Sequence, residues 1–378
     1  MAIDAATLTA LAKLEAARLG FALAGVTTPD PPPHLDVYRS WIAAGRHGQM
    51  AYLSSERGLE RRADPRRILP ECESILVVGL RYPPPLPLRI PGARVAAYAQ
   101  GQDYHDLLPA RLEMLVATLQ EAAATRFAYR TYTDTGPILE RELAQRAGLG
   151  WIGKNTCLIH PHLGSYLLLG EALLALPLVP DPPFLPDHCG TCTRCLDACP
   201  TGCILPDRTL DAARCVSYLT IELKGSIPTD LRPAVGDWLF GCDVCQEVCP
   251  WNRRAQPPSA ESAFQPSRAP ATPAPADLLP LVPDELRQAF AGTPVLRPKR
   301  RGLLRNAAVV AGNQRQASAV PALARALLSE SEPLVRAHAA WALGRIGGPP
   351  ARQALTQALQ LEADPTVGAE IQAALWES

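Results

Sequence analysis

The 378-residue sequence has no excess of charge of either sign, since 37 basic and 37 acidic residues give a formal net charge of zero. Overall charge therefore argues neither for nor against a nucleic-acid partner, and any basic surface must be local. The sequence also lacks an apolar run of the roughly 18 residues that a membrane-spanning helix needs. The nearest candidate, residues 166–179, is interrupted by Glu171 and Pro177.

Signals for export are missing from the first residues. Asp4 stands where a signal peptide has basic residues. We therefore expect a cytoplasmic protein, in which thiols stay reduced. The sequence contains 11 cysteines, and in a reducing compartment they are expected to bind metal rather than to form disulfides.

Residues 1–185 alternate between helical and strand-like patterns, which predicts a domain of α/β or α+β class. Apolar residues at helical spacing indicate helices, and short continuous apolar runs indicate buried strands. Helices are predicted at 8–19, 107–124 and 137–147, and strands or apolar segments at 75–80, 129–133 and 166–176.

Three further segments follow this domain. Residues 186–254 are rich in cysteine, and residues 255–296 begin with a stretch of many prolines that predicts a semi-rigid connector. Residues 297–378 repeat themselves at an offset of 32, so that Gly312 aligns with Gly344. Each repeat contains two segments rich in alanine and leucine, which predicts a C-terminal domain of α-helical HEAT-like repeats.

Eight cysteines have the spacing of a two-cluster ferredoxin. A C-x2-C-x2-C-x3-C-P run occupies 189–200, and a C-x2-C-x3-C-P run that lacks its leading cysteine occupies 242–250, where Cys215 can fill the deficit. In such proteins three close thiolates hold one [4Fe–4S] cluster and the fourth crosses to the other. The predicted ligand sets are Cys189, Cys192, Cys195 and Cys249 for one cluster, and Cys199, Cys215, Cys242 and Cys245 for the other.

Zinc is the alternative occupant, since it also binds C-x2-C pairs, but a zinc ribbon does not need two C-x3-C-P endings. Radical chemistry with S-adenosylmethionine would need C-x3-C-x2-C, which the sequence lacks. The remaining Cys72, Cys157 and Cys203 are predicted to be small apolar residues without a metal role. Because clusters alone only pass electrons, a ferredoxin-type electron carrier stays a rival interpretation.

Several motifs outside the cysteines resemble those of epoxyqueuosine reductases. They include Thr133-Asp-Thr-Gly-Pro-Ile-Leu-Glu-Arg-Glu, Gly148-Leu-Gly-Trp-Ile-Gly-Lys-Asn155 and Gly164-Ser-Tyr-Leu-Leu-Leu-Gly-Glu171. Gly101-Gln-Asp-Tyr-His-Asp106 and the ferredoxin stretch ending at Asn252 add to the resemblance. It covers essentially the whole chain, including the HEAT-like repeats.

The resemblance implies the last step of queuosine biosynthesis, the reduction of epoxyqueuosine to queuosine at the wobble position of tRNA. It implies two-electron deoxygenation of the epoxide by cob(I)alamin, supplied with electrons by the two [4Fe–4S] clusters. Residues 1–185 would then form a cobalamin-binding domain similar to that of reductive dehalogenases. In this family cobalamin binds base-off, without an axial histidine. The lack of a strong axial nitrogen donor should make the reduced cob(I)alamin easier to reach, because axial ligation affects the reduction potential of the metal. The D-x-H-x-x-G cobalamin fingerprint is accordingly incomplete, with Leu108 in place of its glycine.

Asp134 is the predicted general acid, which would protonate the departing epoxide oxygen with a pKa raised by burial. A helix N-cap is the alternative role for this residue. Arg62, or its neighbour Arg61, resembles the family's contact to a cobalamin side chain. The full predicted cofactor-binding set is Arg62, Tyr104, His105, Asp134, Lys154, Ser165, Tyr166, Ser217 and Lys224. For His105 the alternative is a purely structural histidine. For Ser217 and Lys224 the alternative is an ordinary exposed helix surface.

A local basic run opens the repeat domain. Lys299, Arg300, Arg301 and Arg305 are predicted to bind tRNA phosphates, with a solvated charged surface as the alternative. The wobble base lies in a single-stranded loop, so it can be turned out into a pocket at little cost. We further expect a monomer that takes electrons from an external low-potential donor. A small-molecule reductase similar to reductive dehalogenases is the rival enzyme, but it would not need the basic repeats.

Overall fold

The computed structural model describes residues 3–84, 92–256, 262–264 and 274–377. The chain divides into two compact units, and each is formed by three separate stretches of sequence. The first unit comprises residues 1–84, 102–211 and 244–265, and the second comprises residues 85–101, 212–243 and 266–378. The predicted ferredoxin segment 186–254 is therefore shared between two units, while the domain boundaries drawn from the sequence stay predictions.

The first unit contains a four-stranded antiparallel sheet with the order β1-β2-β7-β4. Its fully buried strand, β2 (Ser74–Arg81), lies between two others, which explains the continuous apolar run of its sequence. The antiparallel pairing identifies this unit as α+β. The other strands of the sheet are β1 (Leu23–Thr27), β4 (Tyr129–Tyr132) and β7 (Leu167–Leu174).

Helices cover both faces of this sheet. Ile75 and Val77 point to the face that α6 (Glu140–Arg146) covers, where they pack with Leu143. Gly170 points to the other face, where a Cβ atom would lie 3.1 Å from Leu112 of α5 (Tyr104–Ala122). The remaining elements of this unit are α1 (Ala5–Arg18), α2 (Leu35–Ala43), α3 (Ala51–Ser54), α4 (Glu56–Ala63), α7 (Arg194–Ala198), α10 (Val244–Glu247), α11 (Pro250–Arg254) and the hairpin of β5 (Trp151–Ile152) and β6 (Leu158–Ile159).

Two helix starts differ from the sequence prediction for local reasons. Helix α5 begins three residues early, because Asp103 caps it by accepting a hydrogen bond from the His105 N–H. Helix α6 begins at Glu140 rather than at Pro137. The loop between β4 and α6 is correspondingly longer, and it contains Asp134.

The second unit contains the helical repeats and a short parallel pair of strands, β3 (Arg94–Val95) and β8 (Trp238–Phe240). The two aligned glycines of the sequence repeat, Gly312 and Gly344, each lie where another helix packs closely. A Cβ atom on Gly312 would lie 2.9 Å from Ala342, and one on Gly344 would lie 2.8 Å from Ala374. The helices are α8 (Val216–Ile221), α9 (Arg232–Val235), α12 (Pro275–Leu278), α13 (Pro283–Ala289), α14 (Lys299–Asn313), α15 (Val320–Ser329), α16 (Pro333–Ile346), α17 (Pro349–Leu361) and α18 (Pro365–Glu377).

The predicted connector needs a correction in its second half. Residues 257–261 and 265–273 lie outside the described residues, but α12 and α13 follow them. Leu278 and Leu286 of these helices are buried, and α12 packs against α14. Residues 275–296 therefore belong to the helical domain and do not form a connector between the cysteine-rich segment and that domain. Among the described helices, none is long and apolar enough to cross a membrane.

Candidate functional site

The loop before α6 holds Asp134 in a left-handed backbone conformation, with φ of 57°. Aspartate tolerates this region better than most residues do, and its occurrence in a loop is typical of functional positions. The Tyr104 hydroxyl donates a hydrogen bond of 2.9 Å to Asp134 Oδ2. His105 Nε2 lies 3.5 Å from the same oxygen. The start of α5 and the loop before α6 thus bring three of the predicted site residues together.

His105 is held between two carboxylates. Its Nδ1 lies 2.8 Å from Asp103 Oδ1, opposite the contact with Asp134. Burial lowers the pKa of His105, but hydrogen bonds to Asp103 and Asp134 and their negative charges raise it to about 9. The imidazole is therefore protonated at neutral pH, and both ring nitrogens are directed at carboxylates.

The burial expected at Asp134 is found at two other carboxyl groups. The Asp134 side chain is 47% exposed, whereas Glu171 of β7 is completely buried. Glu140 is partly exposed as a residue, but its Oε1 is inaccessible and has no hydrogen-bond partner among the described residues. Burial first, and then the charge of Asp134, raise the pKa of Glu140 to about 7. Burial likewise raises the pKa of Glu171 well above its usual range, with Glu140 and Asp134 adding to the effect.

Sequence reasoning missed these two glutamates as functional residues. A signal for Glu171 was present, because it is a single charged residue inside the apolar segment 166–176. A charge in a buried strand is unusual unless it is paired or functional. Glu140 carried no such signal, since an acidic residue in the first turn of a helix is ordinary.

Glu140 predicts a pH dependence of stability. Its folded-state pKa of about 7 exceeds its ordinary value of 4.5, so its contribution is fully present below about 4.5 and is lost as pH rises through about 7. The Glu140→Gln variant should lose less stability over this interval than the wild type does. Chemical denaturation at several pH values measures the difference, and identical pH dependence in both proteins would contradict it.

Arg62, rather than Arg61, lies beside this carboxyl group. Arg62 is buried in α4, donates to the Gly58 carbonyl oxygen at 3.2 Å and lies over the Tyr38 ring at 5.6 Å. Its positive charge lowers the pKa of Glu140, against the larger effects of burial and of Asp134. The residue predicted as a cobalamin contact is thus placed near Glu140, although its role stays a prediction.

Ser165 and Tyr166 have other partners in the structure. The buried Ser165 hydroxyl donates to Gln246 Oε1 at 2.9 Å and accepts from Asn252 Nδ2 at 2.9 Å. Tyr166 packs edge-on against Tyr82, with ring centroids 5.5 Å apart. These contacts fix the region of α10 and α11 to the sheet, so Ser165 has a structural role that the sequence did not reveal.

Four of the predicted cluster ligands line one cavity in the first unit. They are Cys189, Cys192, Cys195 and Cys249. Trp151 donates to Cys189 Sγ at 3.5 Å and stacks with Phe184 in an aromatic wall. Four cysteine thiols around one apolar cavity fit a [4Fe–4S] cluster, because thiolate is its usual ligand. The crossing of Cys249 to the first cysteine run is therefore supported by the fold.

Lys154 also lines this cavity. Its Nζ donates to the carbonyl oxygens of Gly190 at 2.7 Å and Cys192 at 3.0 Å. The predicted contact of Lys154 with the corrin stays a prediction. Lys154 stabilises the backbone of the cysteine loop and places a positive charge beside the thiolates.

The second predicted ligand set takes its cysteines from both units. Cys199 and Cys245 belong to the first unit, whereas Cys215 and Cys242 belong to the second. The same unit contains Ser217, at the start of α8, and the exposed Lys224. This ligand set and the roles of Ser217 and Lys224 stay predictions.

Cys203 gives a prediction of its own. It is buried, and its sulfur lies 3.4 Å from Cys199 Sγ. Since the eight other thiols suffice for two clusters, the Cys203→Ala variant should retain about eight iron atoms per chain. Iron analysis of the reconstituted protein measures this number, and a loss of about four would make Cys203 a ligand.

The basic run of α14 is only partly available to a partner. Lys299 and Arg301 are exposed, whereas Arg300 forms an ion pair of 2.7 Å with Glu330. Arg305 is completely buried and donates to the carbonyl oxygens of Leu219, Leu223 and Gly225. The predicted phosphate contact at Arg305 is therefore wrong. The sequence shows the charge of this residue but not its inward direction on the helix.

Comparisons with known proteins extend these observations. A model of the 4Fe-4S double cluster binding domain matches residues 188–252. A model of epoxyqueuosine reductase QueG, DUF1730, matches residues 62–135, and one of HEAT repeats matches residues 296–376. Epoxyqueuosine reductase of Pseudomonas aeruginosa is 39% identical over 335 residues, which span 87% of this chain and 92% of that protein. The Xanthomonas campestris enzyme is 40% identical over 332 residues, 86% and 91% of the two chains.

Solved structures agree with the sequence relatives. An epoxyqueuosine reductase crystallised with an epoxyqueuosine-modified tRNA-Tyr stem loop has a TM-score of 0.88 and 31% identity, and the match covers 97% of each chain. The Bacillus subtilis enzyme, with its catalytic aspartate loop swung out of the active site, has a TM-score of 0.86 and 32% identity, covering 97% of this chain and 98% of its own.

The class of the protein follows from these findings. It is an oxidoreductase with two [4Fe–4S] clusters and C-terminal HEAT-like repeats. The chain belongs to the epoxyqueuosine reductase family.

Proposed function

We propose that this chain reduces epoxyqueuosine to queuosine in tRNA and that Asp134 delivers the proton to the epoxide oxygen. The observation that carries the proposal is the arrangement around Asp134. Its half-exposed carboxyl group accepts a hydrogen bond from Tyr104 and lies beside the protonated His105. A carboxyl group with neighbouring proton donors suits protonation of a leaving oxygen.

Conversion of the epoxide to an alkene and water consumes two electrons and two protons. Cobalamin and the two [4Fe–4S] clusters, when bound, supply the electrons and the reduced metal that this chemistry needs. The residues of the chain bind these groups and handle the protons. Asp134 is the group placed to pass the first proton to the epoxide oxygen, and the protonated His105 beside it supplies that proton.

The residues around Asp134 fit a cobalamin that takes no ligand from the fingerprint histidine. His105, which occupies that position, directs both ring nitrogens at carboxylates, Nδ1 at Asp103 and Nε2 at Asp134. Arg62, Tyr104 and His105, around Asp134 and Glu140, are the residues that would hold the cofactor.

A tRNA substrate is supported by the helical repeats and by the solved relative with a tRNA stem loop. Lys299 and Arg301, exposed at the start of α14, are the phosphate contacts that we retain. We also propose that the protein works in the cytoplasm as a monomer with an external low-potential electron donor. A pure electron carrier would leave the arrangement around Asp134 without a purpose.

Charge reversal at the start of α14 tests the RNA surface. Lys299→Glu and Arg301→Glu should each weaken binding of a tRNA stem loop and lower the slope of log affinity against log salt concentration by about 1. Fluorescence titration at several salt concentrations measures both quantities. Arg325→Glu, an equal charge change on the exposed side of α15, is the matched control, and equal effects of all three variants would place the RNA elsewhere.

The activity itself is tested with reconstituted protein, a strong chemical reductant and an epoxyqueuosine-containing stem loop. Nucleoside analysis should show queuosine formed from epoxyqueuosine. A second reaction with a halogenated aromatic compound examines the rival enzyme. An unchanged epoxide in protein that carries clusters and cobalamin, together with dehalogenation of the aromatic compound, would replace our proposal with that rival.

A further inference from the structure

A tight turn in the first unit brings a second thiol against Cys199. Gly202, with a φ of 61°, lies in this turn, and its N–H donates to the Cys199 carbonyl oxygen at 3.1 Å. Glycine suits this left-handed backbone position. The chain then returns toward Cys199, so that the Sγ atoms of Cys199 and Cys203 lie 3.4 Å apart, which is a hydrogen-bond distance for two sulfur atoms.

The segment that follows Cys203 fixes its position. The Cys203 carbonyl oxygen accepts a hydrogen bond from the Asp211 N–H at 2.9 Å, and Ile204 pairs with Leu210 in an antiparallel bridge. The Cys203 residue is only 2% exposed, so its thiol does not reach solvent. The fold therefore keeps this thiol beside Cys199.

The ligand role predicted for Cys199 decides the direction of the hydrogen bond. An iron-bound cysteine is a thiolate and has no proton to donate. Cys203 is outside the predicted ligand sets and keeps its proton, so its S–H is the donor and Cys199 Sγ is the acceptor. The Thr201 hydroxyl lies 3.7 Å from the same sulfur and would donate to it as well. Two side chains of the turn thus direct hydrogens at one thiolate.

The surroundings of Cys199 fit a cluster. Cys199 directly follows α7, which packs against α10, the helix that contains Cys245. Both cysteines belong to the first unit and to the same predicted ligand set. Thiolate is the usual ligand of a [4Fe–4S] cluster, and hydrogen bonds to the sulfurs are among the features that set its reduction potential.

We propose that Cys203 donates a hydrogen bond to the Cys199 thiolate and thereby raises the reduction potential of the cluster that Cys199 binds. Reduction adds one negative charge, which is shared with the sulfur ligands, and a hydrogen-bond donor stabilises the more negative state more strongly. Cys203 acts through Cys199 as a positioning residue and is not itself a ligand. The inference rests on the predicted role of Cys199, and it rests on the proposed function only for the use of the electron.

This hydrogen bond matters because the reaction consumes two electrons and each cluster passes one at a time. A cluster with a higher potential takes an electron from the external low-potential donor more readily and retains it until the reaction uses it. The donor is oxidised by one electron, the cluster is reduced by one, and the Cys203 proton stays on its sulfur throughout.

A redox titration followed by electron paramagnetic resonance tests the proposal without tRNA or turnover. The reconstituted wild-type protein should show one midpoint for each cluster. Cys195→Ala identifies the midpoint of the Cys199 cluster, because the predicted ligand sets leave that variant with this cluster alone. In Cys203→Ala this midpoint should become more negative. At a fixed potential the ratio of reduced to oxidised cluster should fall about fivefold, which corresponds to about 40 mV at about 59 mV per tenfold.

Three further variants separate the hydrogen bond from packing. Cys203→Val also lacks a donor but fills the space, so it should shift the midpoint as Cys203→Ala does. Cys203→Ser retains a donor and should restore most of the wild-type potential. Cys72→Ala is the matched control, because it removes another buried thiol of the first unit, whose Sγ donates to the Ser74 carbonyl oxygen at 3.4 Å. Both midpoints should stay unchanged in the control.

Several results would overturn the proposal. They are an unchanged midpoint in Cys203→Ala or Cys203→Val, equal midpoints in the serine and alanine variants, a shift of the other midpoint, or the loss of about four iron atoms from Cys203→Ala. The reduction of epoxyqueuosine does not enter this test. A chain that lacked that activity but showed the shift would lose the proposed function and keep the hydrogen bond.

Discussion

Asp134→Asn should lower turnover by about 10²- to 10⁴-fold, the usual contribution of a general acid. Asparagine has nearly the same shape, tolerates the left-handed backbone of this position and can still accept the Tyr104 hydrogen bond. It has no acidic proton to give to the epoxide oxygen. The clusters, cobalamin and tRNA affinity should therefore be retained while the chemical step is lost.

Single-turnover analysis of the nucleosides measures this effect directly, because it separates chemistry from tRNA release. Asp106→Asn is the matched control, since Asp106 is exposed on the first turn of α5, close to Tyr104 and His105 in sequence. That variant should retain wild-type turnover. If Asp134→Asn also turns over at close to the wild-type rate, the proton must come from another group.

Removal of one cluster should abolish turnover by interrupting the supply of electrons. Cys195→Ala and Cys249→Ala each remove a thiol that lines the same cavity, although the two residues are far apart in the chain. Each variant should retain about four iron atoms, because the other cluster has its own four ligands. The same electron paramagnetic resonance signal should disappear in both.

The double variant Cys195→Ala/Cys249→Ala tests the crossing of ligands between the two cysteine runs. If both thiols hold one cluster, the double variant should also retain about four iron atoms per chain. Retention of almost none would assign the two cysteines to different clusters. The Cys195→Ala/Cys245→Ala combination is the contrasting case, for which the predicted ligand sets require loss of both clusters.

The sequence predicted those features that depend on spacing along the chain. The run from Cys189 to Cys249 predicted two clusters, which the match to a double cluster domain confirms. The offset between Gly312 and Gly344 predicted helical repeats, and both glycines lie where a neighbouring helix approaches closely. Such signals survive in sequence because local geometry repeats wherever the spacing repeats.

The sequence could not show which way a charged side chain points. Arg305 belongs to the same basic run as Arg301, yet one is buried among backbone carbonyls and the other is exposed. Lys154 donates to the backbone of the cysteine loop, which its place in the sequence did not indicate. Glu140 and Glu171 are 31 positions apart in the numbering and are brought together only by the packing of α6 on the sheet. These relations depend on tertiary contacts, so residue type alone did not reveal them.

The queuosine content of cellular tRNA is the measurement that tests the central claim most directly. A bacterial strain that makes epoxyqueuosine but lacks its own reductase would express this chain, with the Asp134→Asn variant as a parallel. We predict that queuosine replaces epoxyqueuosine in tRNA from cells with the wild-type chain and that epoxyqueuosine persists with the variant. Persistence of epoxyqueuosine in cells that contain the wild-type chain with its clusters and cobalamin bound would contradict the account.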